Sequence, residues 1–147
     1  MIQNKGWRFT GNERKYIEEV LSNGFGASES GTMNERLERK FAEIHGVKFA
    51  ITANSGTSTL HIALNSLGVG PGDEVIVTPR TFIASASCIV NAGAIPVFAD
   101  VDPDSGNLTA ESITKVVSLN TKAVICVHFA GWPCEMDPIM KLADKNE

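Results

Sequence analysis

The sequence predicts an α/β fold, a three-layer α/β/α arrangement around a mainly parallel sheet. Three observations carry this reading. From residue 49 onward, short apolar runs alternate with stretches of helical periodicity. The runs are apolar throughout, Val75-Ile76-Val77 above all, as strands covered on both faces must be. With 147 residues, 43% of them apolar and 20% charged, the chain also has the length and composition to close a core.

The elements follow in order. Thr10 and Glu13 fit a capping box, and Tyr16, Ile17, Val20 and Leu21 continue at helical spacing, predicting a helix from about Asn12 to Ser22. Asn23 to Gly31 is a polar, glycine-rich loop. A second amphipathic helix is predicted from Met33 to His45, with Leu37, Phe41 and Ile44 on one face and Gly46 as its stop. Phe49 to Ala53 reads as a short strand and Thr57 to Leu67 as a helix. Gly68 to Glu74 is a loop, and Val75 to Val77 a buried strand. Thr81 to Asn91 reads as a helix of small residues, and Pro96 to Ala99 as the next strand. After the turn-rich Asp100 to Asn107, Thr109 caps a short helix to about Val117. Ala123 to Val127 is a strand, and Asp137 to Asn146 begins a further helix.

Composition narrows the function classes. The net charge of −4 gives no electrostatic case for nucleic acid or an anionic membrane. Arg36, Arg39 and Lys40 cluster, but Glu35, Glu38 and Glu43 interleave with them, as on a solvated helix face laced with ion pairs. The N-terminal residues lack a signal-peptide pattern and no run approaches a membrane span, so the expected location is the cytoplasm. Cys88, Cys126 and Cys134 have neither disulfide-framework nor zinc spacing and read as reduced, inert thiols.

Ligands of open parallel sheets bind beyond the carboxyl ends of the strands. Four polar knots fall there: Asn54–Ser58, Thr78–Phe82, Asp100–Asp104 and His128–Pro133. Gly56-Thr57-Ser58 opens a helix, whose unpaired amides and dipole suit a phosphate, although plain capping explains the same residues. The stretch is neither a Walker A loop nor a GxGxxG loop. Phe82 can stack on a planar ring or can be core. Asp100, Asp102 and Asp104 alternate, but Pro103 and the missing EF-hand glycine and glutamate favour turn chemistry, and no metal site is expected. His128 ends a strand, where it can orient a ligand, move a proton or serve structure alone. His45 and His61 lie on predicted helices and read as structural.

In this order the blocks "SGTMNERLERKFAEIHGVKFAITANSGTSTLHIAL", "GVGPGDEVIVTPRTFIASASCIVNAGAIPVFADVDPDSGNL" and "TKAVICVHFAGWPCEMDPI" resemble the N-terminal part of the DegT/StrS-type aminotransferases. That family comprises pyridoxal-phosphate (PLP) enzymes of fold type I that install amino groups on nucleotide-linked sugars for cell-surface polysaccharides and other glycans. The resemblance implies that Gly56, Thr57 and Ser58 hold the PLP phosphate and that Phe82 stacks on its pyridine ring. His128 matches a recurrent position near the cofactor, and Ser28 to Gly31 a stretch on the sugar-nucleotide side. It further implies a nucleotide-sugar substrate, glutamate as amino donor and a homodimer.

The family's pyridine-pairing aspartate and cofactor-bonding lysine match no residue here. Both are expected beyond Glu147, so no catalytic residue is assigned in this segment. The expectation is an incomplete large domain over 33–147, preceded by a helix and loop over 1–32 and lacking the small C-terminal domain, inactive on its own. The alternatives are a non-catalytic phosphate-ligand or regulatory protein, a dehydratase relative in which histidine replaces the lysine, and a Rossmann-like nucleotide binder. The missing GxGxxG weakens the last.

Overall fold

Local capping defines the first two helices. Helix α1 (Glu13–Asn23) and helix α2 (Met33–His45) bury no residue in the computed structural model, which describes residues 11–23 and 32–145. Thr10, the loop stretch Ser28 to Gly31, Asn146 and Glu147 lie outside the described residues. At the start of α2, Thr32 Oγ1 accepts from the Glu35 amide at 3.2 Å and the Glu35 carboxylate accepts from the Thr32 amide at 3.1 Å. This reciprocal box satisfies two of the donors a helix start leaves open. Gly46 ends α2 in the left-handed region at φ +63°, returning its amide to the carbonyls of Ala42 and Glu43. Lys40 pairs with Glu43 at 2.9 Å, one of the ion pairs the charge pattern predicts along α2, whereas Arg36 pairs with Glu19 of α1 at 2.7 Å.

The strand expected from Phe49 to Ala53 does not form. A strand is defined by its neighbour, and no described segment pairs with this one. The Thr52 amide and hydroxyl instead donate to the Glu38 carboxylate at 2.8 and 2.9 Å, while Phe49 and Ile51 remain exposed. These residues belong to a first compact unit that ends at Thr52, and a second unit begins at Ala53.

The second unit has the predicted architecture. Helix α3 (Gly56–Ser66) leads to strand β1 (Glu74–Val77), helix α4 (Ala84–Asn91), strand β2 (Ile95–Phe98), helix α5 (Ala110–Thr114), strand β3 (Thr121–Ile125) and helix α6 (Met136–Ala143). The strands form a parallel sheet in the order β2-β1-β3. Alternation along β1 divides the core between the two faces. Val75 and Val77 pack with Leu64, Cys88 and Ile89, so α3 and α4 cover one side. Ile76 packs with Leu108, Ile113 and Ile139, so α5 and α6 cover the other.

Pro96 is tolerated because β2 is an edge strand of this sheet. Ile95 and Ala99 donate inward to Asp73 and Val77, which turns the nitrogen of Pro96 away from the ladder. Between β1 and β3 the register shifts by one residue: Glu74 faces Thr121 but Val75 faces Ala123, so Lys122 is passed over. Its Nζ reaches the Gly68 carbonyl at 2.9 Å and the Asp73 carboxylate at 3.4 Å.

Three helix boundaries differ from expectation by more than two residues. Helix α4 begins at Ala84 rather than Thr81, because Phe82 and Ile83 form a turn whose carbonyls accept from Ser85 and Ala86. Helix α5 ends at Thr114 rather than near Val117, where the amides of Val116 and Val117 both fold back onto the Ile113 carbonyl. Helix α6 ends at Ala143 rather than Asn146, and the Asp144 amide closes it on the Met140 carbonyl.

Candidate functional site

Parallel strands bring their carboxyl ends to one edge of the sheet, and that edge collects the candidate residues. β1 leads into Thr78–Ile83, β2 into Asp100–Asn107 and β3 into Cys126–Cys134. Helix α3 reaches the same edge from the other direction. Its last residues connect through a short loop to the start of β1, and its 11 residues, about 16 Å at 1.5 Å each, carry its first turn back toward the end of β1.

That first turn is built around Ser55. Its hydroxyl accepts from the Ser58 amide at 3.2 Å and lies 3.0 Å from the Ser58 hydroxyl, and its carbonyl accepts from Thr59. The amides of Gly56 and Thr57 belong to the helix start, where no intrahelical acceptor exists. The space beside Gly56 is open: a Cβ there would meet no atom within 4 Å. The first turn of α3 thus carries two open amides, the exposed Thr57 hydroxyl, the half-buried Ser58 hydroxyl and the positive end of the helix dipole.

Phe82 is 74% exposed, so its ring is not part of the core. It stands immediately before α4, where Thr81 and Ser85 hydroxyls meet at 2.9 Å. His128 is exposed as well, but its ring is fixed. Nδ1 accepts from the Cys134 amide at 3.0 Å, which places the proton of the neutral ring on Nε2. The turn that carries it is tight. Ala130 is left-handed at φ +52° and Gly131 at φ +82°, and Gly131 and Trp132 donate back to the carbonyls of His128 and Phe129. The Ala130 conformation costs about 1 kcal/mol in an L-residue.

Sequence reading missed what holds this turn. Asn107 is buried; its Oδ1 accepts from the Phe129 amide at 3.0 Å and its Nδ2 donates to the Trp132 carbonyl at 2.8 Å. The loop after β2 is thereby tied to the loop after β3. The only sequence signal was the turn motif Asp102-Pro103-Asp104-Ser105-Gly106 placed just before Asn107. That motif is a turn in the structure. The Asp102 carboxylate accepts from the Ser105 amide and hydroxyl, both at 2.8 Å, and these bonds hold it below the usual carboxylate range.

The thiols are buried or half-buried. Burial raises all three, Cys126 to about 11 with the neighbouring Cys134 as second cause, so none is a poised nucleophile. Among the lysines, Lys40, Lys115 and Lys122 are engaged with carboxylates, and Lys122 sits at the opposite edge of the sheet, where β3 begins. No helix among the described residues is long and apolar enough to cross a membrane.

Comparison with known proteins places this geometry in context. The profile of the DegT/DnrJ/EryC1/StrS aminotransferase family matches residues 8–147. GDP-perosamine synthase from Caulobacter vibrioides is 43% identical over 139 residues, which is 95% of this chain and 37% of that protein. An aminotransferase from Psychrobacter cryohalolentis superposes with a TM-score of 0.87 at 51% identity, over 94% of this chain and 35% of that one. A Streptococcus pneumoniae protein named as a sugar aminotransferase, solved in its PLP-form, gives a TM-score of 0.80 at 32% identity over 90% of this chain and 34% of its own. The chain thus spans about a third of the length of the relatives it matches.

Proposed function

This chain belongs to the DegT/DnrJ/EryC1/StrS aminotransferase family, and from that premise we propose that it forms the phosphate seat and ring platform of a PLP-dependent aminotransferase acting on nucleotide-linked keto-sugars. The observation that carries the reading is the first turn of α3, which has open space beside Gly56, amides without an intrahelical acceptor and no acidic residue. The donor set suits a phosphate. The amides of Gly56 and Thr57 and the hydroxyls of Thr57 and Ser58 would bind it, and the helix dipole adds favourable charge without a lysine or arginine. Phe82, exposed at the same edge, would cover one face of the pyridine ring and exclude water from it. The Nε2–H of His128 would donate to an acceptor on the cofactor or substrate, its direction set by the Cys134 amide at Nδ1. When bound, PLP supplies the electron sink on which amino transfer depends.

The relative named GDP-perosamine synthase supports a nucleotide-sugar substrate. Glutamate as donor, a homodimer, a cytoplasmic location and the partition into a 1–32 helix and loop and a 33–147 partial large domain are parts of the same proposal, supported by the family resemblance. The family resemblance matches none of the lysines in this sequence to the cofactor-bonding position, so we assign none of them that role. That lysine and the pyridine-pairing aspartate are assigned to sequence beyond Glu147, an assignment supported by the family resemblance alone. Residues 1–147 alone are expected to bind without turning over.

The test is a PLP titration of the full-length gene product, read by absorbance. Replacing Thr57 and Ser58 together with Ala is expected to weaken binding about tenfold or more. Phe82→Ala is expected to weaken it without disturbing the fold, because the ring is exposed. PLP affinity unchanged in both variants would remove the proposed seat. Failure of the unaltered protein to bind PLP at all would favour a phosphate-ligand protein without catalysis.

A further inference from the structure

We propose that Arg80 is a substrate-anion residue, presenting the edge of its guanidinium to a carboxylate or phosphate at the carboxyl edge of the sheet. The inference rests on the aminotransferase reading for the identity of the anion, and on the structure for the site.

Arg80 is exposed, yet it is held at three points. Its amide donates to Oγ1 of buried Thr78 at 3.0 Å, which fixes the base of the side chain. Its Cζ lies 4.0 Å from the centroid of the Phe129 ring, so one face of the guanidinium is covered by an aromatic. Gly106 provides the third contact. A Cβ at that position would collide with Arg80 Nη1 and come within 2.8 Å of Cζ, so the guanidinium occupies the space any other residue would need. The φ of +72° at Gly106 also favours glycine.

These walls are joined to each other. Asn107 follows Gly106 directly and accepts from the amide of Phe129, so the aromatic wall and the glycine wall move together. The result is a slot assembled from the ends of all three strands, with a planar cation inside it.

No described carboxylate lies within ion-pair distance of Arg80. Two carboxylates of the loop after β2 have other uses: Asp102 accepts from Ser105, and Asp100 accepts from the Val101 amide. A surface arginine ordinarily loses side-chain freedom when it binds an anion. One already held by stacking loses less, and its fork suits two oxygens of a carboxylate or phosphate. The proposed reaction offers two such groups, the carboxylate of the amino donor and the diphosphate of the nucleotide sugar.

The experiment uses the full-length gene product and the variants Arg80→Met, Arg80→Lys and Gly106→Ala. Met keeps the length and the ring contact and removes the donors. Lys keeps the charge and removes the fork. Ala at 106 drives a methyl group into the space the guanidinium fills. Calorimetric titration with inorganic pyrophosphate and with succinate reads the site without catalysis, and steady-state KM for donor and keto-sugar reads it in turnover.

The expected result is a loss of about tenfold or more in one of the two probes, and in the matching KM, for Arg80→Met, with Arg80→Lys giving only partial rescue. Loss for pyrophosphate assigns Arg80 to the nucleotide side, and loss for succinate to the donor side. If Arg80→Met and Gly106→Ala lower the melting temperature but leave both titrations and both KM values within twofold, Arg80 is a structural staple and the proposal is overturned. Absence of PLP binding in the unaltered protein would defeat the aminotransferase reading by itself, while the pyrophosphate and succinate titrations would still decide for or against an anion site at Arg80.

Discussion

The two units of the chain are stabilised in different ways. In the unit ending at Thr52, α1 and α2 have amphipathic patterns but bury nothing, and Leu37, Phe41 and Ile44 remain exposed. The described residues of this unit are tied together by caps, ion pairs and the hydrogen bonds from Thr52 to Glu38, each worth roughly 1 kcal/mol or less. In the unit beginning at Ala53, β1 separates two buried clusters and its last three side chains are inaccessible to solvent. A periodic apolar face therefore shows that a helix forms, but does not show that it is covered by its own chain.

The sharpest test of this contrast removes one apolar side chain from each unit. Ile76→Ala is expected to cost about 2–5 kcal/mol, the range for a fully buried aliphatic truncation, whereas Leu37→Ala should cost less than about 1 kcal/mol. Urea denaturation followed by circular dichroism measures both, and comparable losses would erase the distinction. Asn107→Ala comes next. It leaves the half-buried Phe129 amide and the Trp132 carbonyl of the His128 turn without their partner, for an expected loss of about 1–2 kcal/mol. Hydrogen exchange at the Phe129 amide should accelerate in the same variant, and an unchanged rate would mean the turn holds itself.

Thr32→Ala removes half of the α2 capping box at an expected cost of about 1 kcal/mol, read as frayed helix signal with the sheet undisturbed. The smallest effect at neutral pH concerns Cys126. Its thiol is raised from 9.0 to about 11, so the folded state keeps a proton that the unfolded state releases first. Stability from this group is complete below pH 9 and declines as pH climbs through about 11. Alkylation at pH 8 should be slow, and labelling of the native protein as rapid as that of the urea-unfolded chain would contradict the assigned environment.

Much of this was legible in the sequence, for local reasons. Helix α2 runs from Met33 to His45 as expected because both its ends are written in neighbouring residues, the polar start before Met33 and Gly46 after His45. β1 was legible because three consecutive β-branched residues leave few alternatives. Phe49 to Ala53 was misread because an apolar run states a preference for extended backbone but not the presence of a neighbour. The candidate site divides along the same line. The helix start at Gly56 could be placed from its own surroundings, whereas a phosphate seat there and a stacking role for Phe82 are implied by the family resemblance. The slot around Arg80 could not be placed either way, since residues 80, 106 and 129 meet only after three strands align. Likewise the link from Asn107 to Trp132 spans 25 residues with no local signature.

The skipped residue on β3 bears on how this sequence tolerates change in length. Ala123 and Ile125 face the α3–α4 side of the sheet, and Val124 and Cys126 the α5–α6 side. Lys122 sits just before this pattern starts and is counted on neither side. A deletion of Lys122 would leave every later side chain on its present face and forfeit only the contacts to Asp73 and Gly68. A deletion of Ala123 would instead draw Lys122 into its place opposite Val75, setting a charged side chain where an alanine packs on the α3–α4 side. The irregularity therefore acts as a slack link, where gain or loss of one residue in the approach to the strand is absorbed before it can scramble the interior.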